Sequence, residues 1–203
     1  PEEQLPFVVG ALAGTVNKTL CGWAIKQNMS PVGLSLMDAC QCQAQQINSE
    51  LGYVGKATAN NPELLTHILA QKHLPIVSSI AADNSGNLLN VNADEAAAVI
   101  AELLQGQLVL LSDVPCVLDA DKQPIDTLDA NSIEQLIQQE VIQDGMAVKV
   151  KAALTTANQI HNTVSIASWK SPQQLLGLVA GESIGTSVLP NQLNQCSTSE
   201  NKS

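Results

Sequence analysis

The chain has 203 residues, 45% of them apolar, which is enough for one substantial core and makes a single α/β domain the default. Its net charge is −10, and all nine positive charges are lysines, so phosphate-tracking basic patches and bidentate arginine contacts to guanine are both missing. With aromatic residues at 2%, base-stacking platforms are equally scarce, and nucleic acid is not an expected partner.

Residues 6 to 28 repeat apolar side chains every four positions at Val9, Leu12, Val16, Leu20 and Ala24, which predicts a long helix closed by Asn28. Gly10 and Gly14 lie on one face of it. They suit either close approach by another helix, such as one from a second subunit, or tight packing on the chain's own sheet. No apolar run reads as reaching the ~18 residues that span a bilayer, and the start PEEQLP lacks a leader's basic and apolar regions. A soluble, cytoplasmic protein with no membrane partner is therefore expected. Pro1 in place of a methionine, just ahead of a helix, suggests a piece of something longer.

SPVGLSL reads as a buried strand, followed by a hairpin in which Cys40, Cys42 and Ala44 alternate with Gln41, Gln43 and Gln45 before LGYVGKA returns. Cys-x-Cys fits the inward face of a strand better than a metal site, because two thiolates cannot complete a zinc shell. The five cysteines are scattered without a CxxC pair or histidines at ligand spacing, so they are expected to be reduced thiols, and no protein metal site is expected. Pro62 opens a helix with Leu64, Leu65, Ile68 and Leu69, and LPIVSSI is another core strand. After a turn at 83 to 86, LLNV leads into a helix with Ala96, Val99, Ile100 and Leu103 on one face.

QLVLLSDV is a third core strand, 117 to 126 a surface hairpin, and SIEQLIQQEV a helix burying Ile133, Leu136 and Ile137. A helix from Asp144, its candidate N-cap, runs to about Ile160. TVSIASW is the last clear strand before a short helix from Pro172, and GTSVL adds an edge strand. The polar tail 190–203 is expected to be disordered.

Ligands of open α/β sheets bind where strands end and helices begin. Three such junctions occur: LLNVNADEAA, LLSDVPCVLD and IQDGMAVKVKAAL. Asp94 with Asn92 has a plain alternative as a helix cap, and Ser112-Asp113 as a turn. Lys149 and Lys151 are two residues apart and point to different faces, so at most one is buried at the sheet edge.

NVNAD, LLSDV and DGMAVK, in this order and separation, together with GALAGTVNKTL, resemble the C-terminal portion of the N-acetylglutamate kinases of the amino-acid-kinase family, over residues 1 to about 189. The resemblance implies a three-layer αβα sandwich with a mainly parallel central sheet, comprising a substrate-side hairpin at about 32–58 and a nucleotide-binding part at about 90–189. It implies transfer of the ATP γ-phosphoryl group to the γ-carboxylate of N-acetyl-L-glutamate in arginine biosynthesis, with Mg2+ held mainly by the phosphates. By the same likeness Asn90 contacts the acceptor and Asp94 organises the catalytic lysines, of which Lys149 is one. The ATP site would be lined by Ser112, Asp113, Val114, Pro115, Cys116, Val117 and Leu118, with Val141, Ile142 and Gln143. A homodimer through the 6–28 helix is implied as well.

The departures also carry weight. The family's Lys-x-Gly-Gly strand, its Gly-rich loop and its substrate-gripping arginine do not occur in this sequence, so the 203 residues alone are expected to bind weakly and turn over negligibly. Met37, Ala39 and Cys116 stand at family glycine positions, the last where backbone approaches nucleotide. Two alternatives follow: a family member with a different acceptor, which NVNAD argues against, or a degenerate binding or regulatory module.

Overall fold

The computed structural model describes residues 2–170, 176–177, 182 and 184–191. The expected helix from Pro172 and nearly all of the expected polar tail lie outside them. The chain divides into two compact units, 1–108 and 109–203.

In the first unit, helix α1 (Leu5–Lys26) has an α-helical turn at Leu5–Val9, a π-helical segment at Gly10–Val16 and a regular α-helix at Asn17–Lys26. Asn28 ends it with φ at 60°, the left-handed stop that asparagine tolerates. Two observations correct the sequence expectations. At 22 residues α1 is long enough to cross a membrane, and an 18-residue stretch of it, with a mean hydropathy of 1.2, is apolar enough to do so by composition. Its mid-helix Asn17 is nevertheless buried in the unit, where its amide donates to the carbonyls of Leu34 (3.2 Å) and Ile76 (2.7 Å), a bridge that belongs to a globular helix. In addition, a Cβ at Gly10 or Gly14 would meet nothing within 4 Å, so these glycines do not serve tight packing on the chain's own sheet. Gly33 is the glycine that admits α1, since a side chain there would collide with Asn17, Lys18 and Cys21.

Asn17 bridges β1 (Pro31–Ser35) and β4 (Leu74–Ser78), which pair in parallel from Pro31 opposite Leu74 to Ser35 opposite Ser78. Between them, β2 (Cys42–Gln46) and β3 (Val54–Ala59) form the expected hairpin, and helix α2 (Glu63–Ala70) buries Leu65 and Ile68. The LPIVSSI run is broken: β4 ends at Ser78, and β5 (Ile80–Ala82) belongs to a different sheet. That sheet has the order β2-β3-β6-β5, where β6 is Leu88–Val91, parallel to β3 and antiparallel to β5. Leu89 and Val91 point to the face covered by helix α3 (Ala93–Leu104), and join Cys42, Ala44, Ala57, Ala96 and Val99 in the core. Gly55 is required here because a Cβ would press on Leu89 at 2.8 Å.

Cys40 departs from the predicted strand. It sits exposed in a 3-10 turn at Asp38–Cys40, where Ala39 (φ 52°) and Cys40 (φ 53°) are both left-handed. Gln41, expected outward, is fully buried, and its amide donates to the Ser35 carbonyl at 2.6 Å.

The second unit carries a sheet of order β10-β12-β11-β7, with β7 at Leu108–Ser112, β10 at Thr127–Leu128, β11 at Val164–Ser168 and β12 at Thr186–Val188. Every residue of β11 is buried. The GTSVL strand is not an edge: β12 lies between β10, to which it is parallel, and β11, to which it is antiparallel. Gly185 makes that approach possible at φ 70°, where a side chain would meet the Ile166 carbonyl. The short hairpin of β8 (Val117–Leu118) and β9 (Pro124–Ile125) is tied down by Thr186, whose hydroxyl donates to Ile125 O (2.7 Å) and accepts from Val117 N–H (2.8 Å). Helix α4 (Ala130–Gln138) is capped by Asp129, and helix α5 (Asp144–Ile160) packs against β11. The cap position of α5 is Gln143 rather than Asp144. The sheets are thus mixed, with parallel pairs at β1–β4, β3–β6 and β10–β12.

Candidate active site

The candidate residues fall in both units. In the first, the sequence NVNAD spans the end of β6 and the start of α3. Asn92 is the helix cap: its side-chain oxygen accepts from the backbone N–H of Asp94 (2.9 Å) and Glu95 (3.4 Å). Asp94 is therefore not the cap. It occupies the first turn, where a carboxylate complements the helix dipole, and its exposed side chain has no hydrogen-bond partner among the described residues. Asn90 has its backbone N–H on Tyr53 O at 2.8 Å, while strand alternation turns its half-buried side chain away from Leu89 and Val91. That amide, too, has no partner among the described residues. A primary amide with two donors and an acceptor unspent suits ligand contact.

A cavity of about 420 Å³ also occurs in this unit, beneath α3, with Leu36, Val77, Ile100 and Leu104 among its walls. Neither Asn90 nor Asp94 lines it, and its apolar character gives a charged acceptor nothing to bind.

In the second unit, Lys149 reaches from the second turn of α5 to the carboxyl end of β7. Its ammonium donates to the Ser112 hydroxyl and lies 4.0 Å from the Asp113 carboxylate. Ser112 is buried and in turn donates to Asp113 Oδ1 at 3.2 Å. The Lys149 side chain is 35% exposed and that of Asp113 is 68% exposed, so this linked trio opens to solvent on one side. Ser112's hydroxyl, then Asp113's own backbone N–H, and then the charges of Lys149 and Lys170, hold the Asp113 carboxyl below the usual range. Lys151 points to solvent, as the two-residue offset requires.

The remaining nucleotide-side residues are placed unevenly. Val114, Pro115 and Leu118 are at least partly accessible, whereas Val117 is 1% exposed with its N–H committed to Thr186. Cys116 is half-buried; burial, then the Asp126 charge, pushes its thiol pKa up, away from thiolate. Val141 and Ile142 both donate their N–H groups to Leu136 O, and Ile142 is buried, which leaves Gln143 as the exposed member of that trio. Trp169 and Lys170, which the sequence did not single out, lie at this same edge, where Trp169 N–H donates to Ser112 O. The signal available was the position of SWK directly after the last core strand, equivalent to that of Ser112-Asp113 after β7.

Polar groups gathered at the carboxyl end of a strand, with a lysine reaching it from a helix later in the chain, are the equipment of a phosphoryl-transfer protein with an α/β sandwich. The amino acid kinase family profile matches residues 1–168. Acetylglutamate kinase of Aliivibrio fischeri (strain MJ11) is 52% identical over 190 residues, covering 94% of this chain and 73% of the relative. That of Shewanella loihica (strain ATCC BAA-1088 / PV-4) is 53% identical over 191 residues, with coverage of 94% and 73%. The chain belongs to the amino acid kinase family, among its acetylglutamate kinases. The fold agrees with the smu.665 structure from Streptococcus mutans UA159, with a TM-score of 0.70 at 23% identity, covering 92% of this chain and 72% of that one. N-acetylglutamate synthase from Neisseria gonorrhoeae, complexed with coenzyme A and L-arginine, shares the fold at a TM-score of 0.64 and 20% identity, with coverage of 79% and 38%.

Proposed function

We propose that this chain carries the acceptor-contacting and nucleotide-binding residues of an acetylglutamate kinase, which transfers the ATP γ-phosphoryl group to the γ-carboxylate of N-acetyl-L-glutamate in arginine biosynthesis. The observation that carries the reading is the placement of Lys149 on Ser112 at the end of β7, with Lys151 in solvent. A carboxylate attacking a phosphoryl group meets mutual negative charge. The site therefore needs cations and N–H donors; it needs no general base, because the nucleophile is already ionised. In this reading Lys149 stabilises the transferring phosphoryl group, Asp94 positions the lysines, and Asn90 binds the acceptor. Ser112 to Leu118 and Val141 to Gln143 flank the nucleotide, with Val117 and Ile142 limited to their unspent main-chain groups.

In this reading Mg2+ would be carried mainly by the ATP phosphates, where it would neutralise charge, with Asp113 an exposed carboxylate in the second-unit cluster. A different acceptor and a degenerate module are both less favoured, given about half-identity to acetylglutamate kinases over 94% of the chain.

Residues of α1 form the subunit contact in this reading. Phe7 (78% exposed), Val16, Leu20 and Trp23 (59%) leave apolar surface exposed along α1, and a Cβ at Gly10 or Gly14 would meet nothing within 4 Å, which suits a second copy of the helix in a homodimer. In the same reading the protein acts in the cytoplasm. The test is phosphoryl transfer by Lys149→Ala and Lys151→Ala in an intact enzyme that carries these residues: the first should lose on the order of 10²-fold or more in rate and the second almost nothing. Comparable losses in both would remove the assignment.

A further inference from the structure

We infer that Lys170 is a second polyphosphate-binding cation of the nucleotide site, standing beside Lys149. β7 and β11 are hydrogen-bonded neighbours, and just beyond their carboxyl ends the chain is fixed by two bonds: Trp169 N–H donates to Ser112 O (3.1 Å), and Lys170 N–H donates to Ser168 Oγ (3.1 Å). The turn out of β11 is thereby held against the residue whose hydroxyl takes the Lys149 ammonium. Lys170 is exposed and in no ion pair among the described residues, yet its charge reaches the Asp113 carboxylate, as does that of Lys149.

Two lysines whose charges both act on one carboxylate are a notable concentration in a chain with nine cations and a net charge of −10. Asp113 balances only one of them, which leaves a local positive excess at the carboxyl ends of two adjacent strands, the place where α/β sheets receive phosphates. Trp169, 61% exposed next to this cluster, adds an aromatic surface at the same edge. A polyphosphate would satisfy the ammonium group that Asp113 leaves unbalanced, whereas an uncharged nucleoside would gain nothing from it.

The inference rests on reading Ser112 to Leu118 as part of the ATP site, and the experiment separates the two. ATP, ADP and adenosine are titrated calorimetrically into the 203-residue chain and into Lys170→Met, Lys170→Arg and Lys151→Met. Loss of one charge-assisted phosphate contact should raise the ATP and ADP dissociation constants of Lys170→Met by about 5- to 10-fold at low salt, an effect that shrinks as salt screens the pair. Adenosine affinity should stay constant, Lys170→Arg should restore most of the loss, and Lys151→Met should match the unaltered chain. If ATP affinity is unchanged in Lys170→Met, or if adenosine weakens as much as ATP, the inference is overturned while the site reading stands. If the unaltered chain binds no ATP at millimolar concentration, the site reading fails, and the inference with it.

Discussion

Ala39 shows how one residue can conflict with the backbone that holds it. At φ 52° and ψ 27° it occupies the left-handed region, so the glycine that the family resemblance expects at this position has a conformational reason. Met37, at φ −78°, needs no glycine, and Cys116 does not have a positive φ either. Ala39→Gly should accordingly stabilise the chain by about 1 kcal/mol, read as a shift in the urea midpoint at constant slope. Thiol chemistry divides along similar lines. Cys42 is pushed up to about 12 by burial and then by the Glu102 charge, whereas Cys40 is exposed on its turn. At pH 8 a thiol reagent should label Cys40 quickly and reach Cys42 and Cys21 only on unfolding; rapid labelling of Cys42 would contradict the buried strand face. Around the acceptor side, the sequence offered Asp94 with Asn92 as a helix cap, and the structure gives the cap to Asn92 and leaves Asp94 free of it. Lys149 could be separated from Lys151 only by family likeness, because spacing says that the two differ in face and not which one turns inward.

At the scale of elements, periodicity located most helices and strands, because apolar repeats of 3.6 and 2 report burial directly. What it could not see were breaks imposed by long-range partners. LPIVSSI reads as one strand but serves two sheets, and GTSVL reads as an edge although Gly185 lets it enter between β10 and β11. Gln41 looked outward by alternation and is buried, since the left-handed pair before it shifts the phase. The α3 cap offers a test at this scale. Asn92→Ala removes both side-chain bonds to the first turn and should cost about 1 kcal/mol. A native-state hydrogen-exchange measurement should find the loss concentrated in α3.

Across the whole molecule, carboxylates set the response to acid. Asp83, Asp113 and Asp129 are each held below the ordinary value, first by a side-chain hydrogen bond from Asn87, Ser112 and Ser132 respectively. A group whose folded pKa is depressed contributes stability that is fully present above its unfolded value, near pH 4, and lost as pH falls through the folded value. The melting temperature should therefore change little between pH 7 and 5 on account of these groups and fall below pH 4. The proposed homodimer is a property of this scale as well: Trp23→Asp at an exposed apolar position of α1 should shift such a dimer to monomer in sedimentation, and an unaltered sedimentation coefficient would reject α1 as the contact.

The central claim concerns the acceptor, and single-turnover transfer from γ-labelled ATP tests it most directly. The chain is held at high concentration, the acyl phosphate is trapped with hydroxylamine, and N-acetyl-L-glutamate is compared with glutamate, aspartate and uridylate. Transfer, however slow, should depend on N-acetyl-L-glutamate and disappear in Lys149→Ala. Transfer to one of the other acceptors, or equal product with Lys149 replaced, would contradict the account.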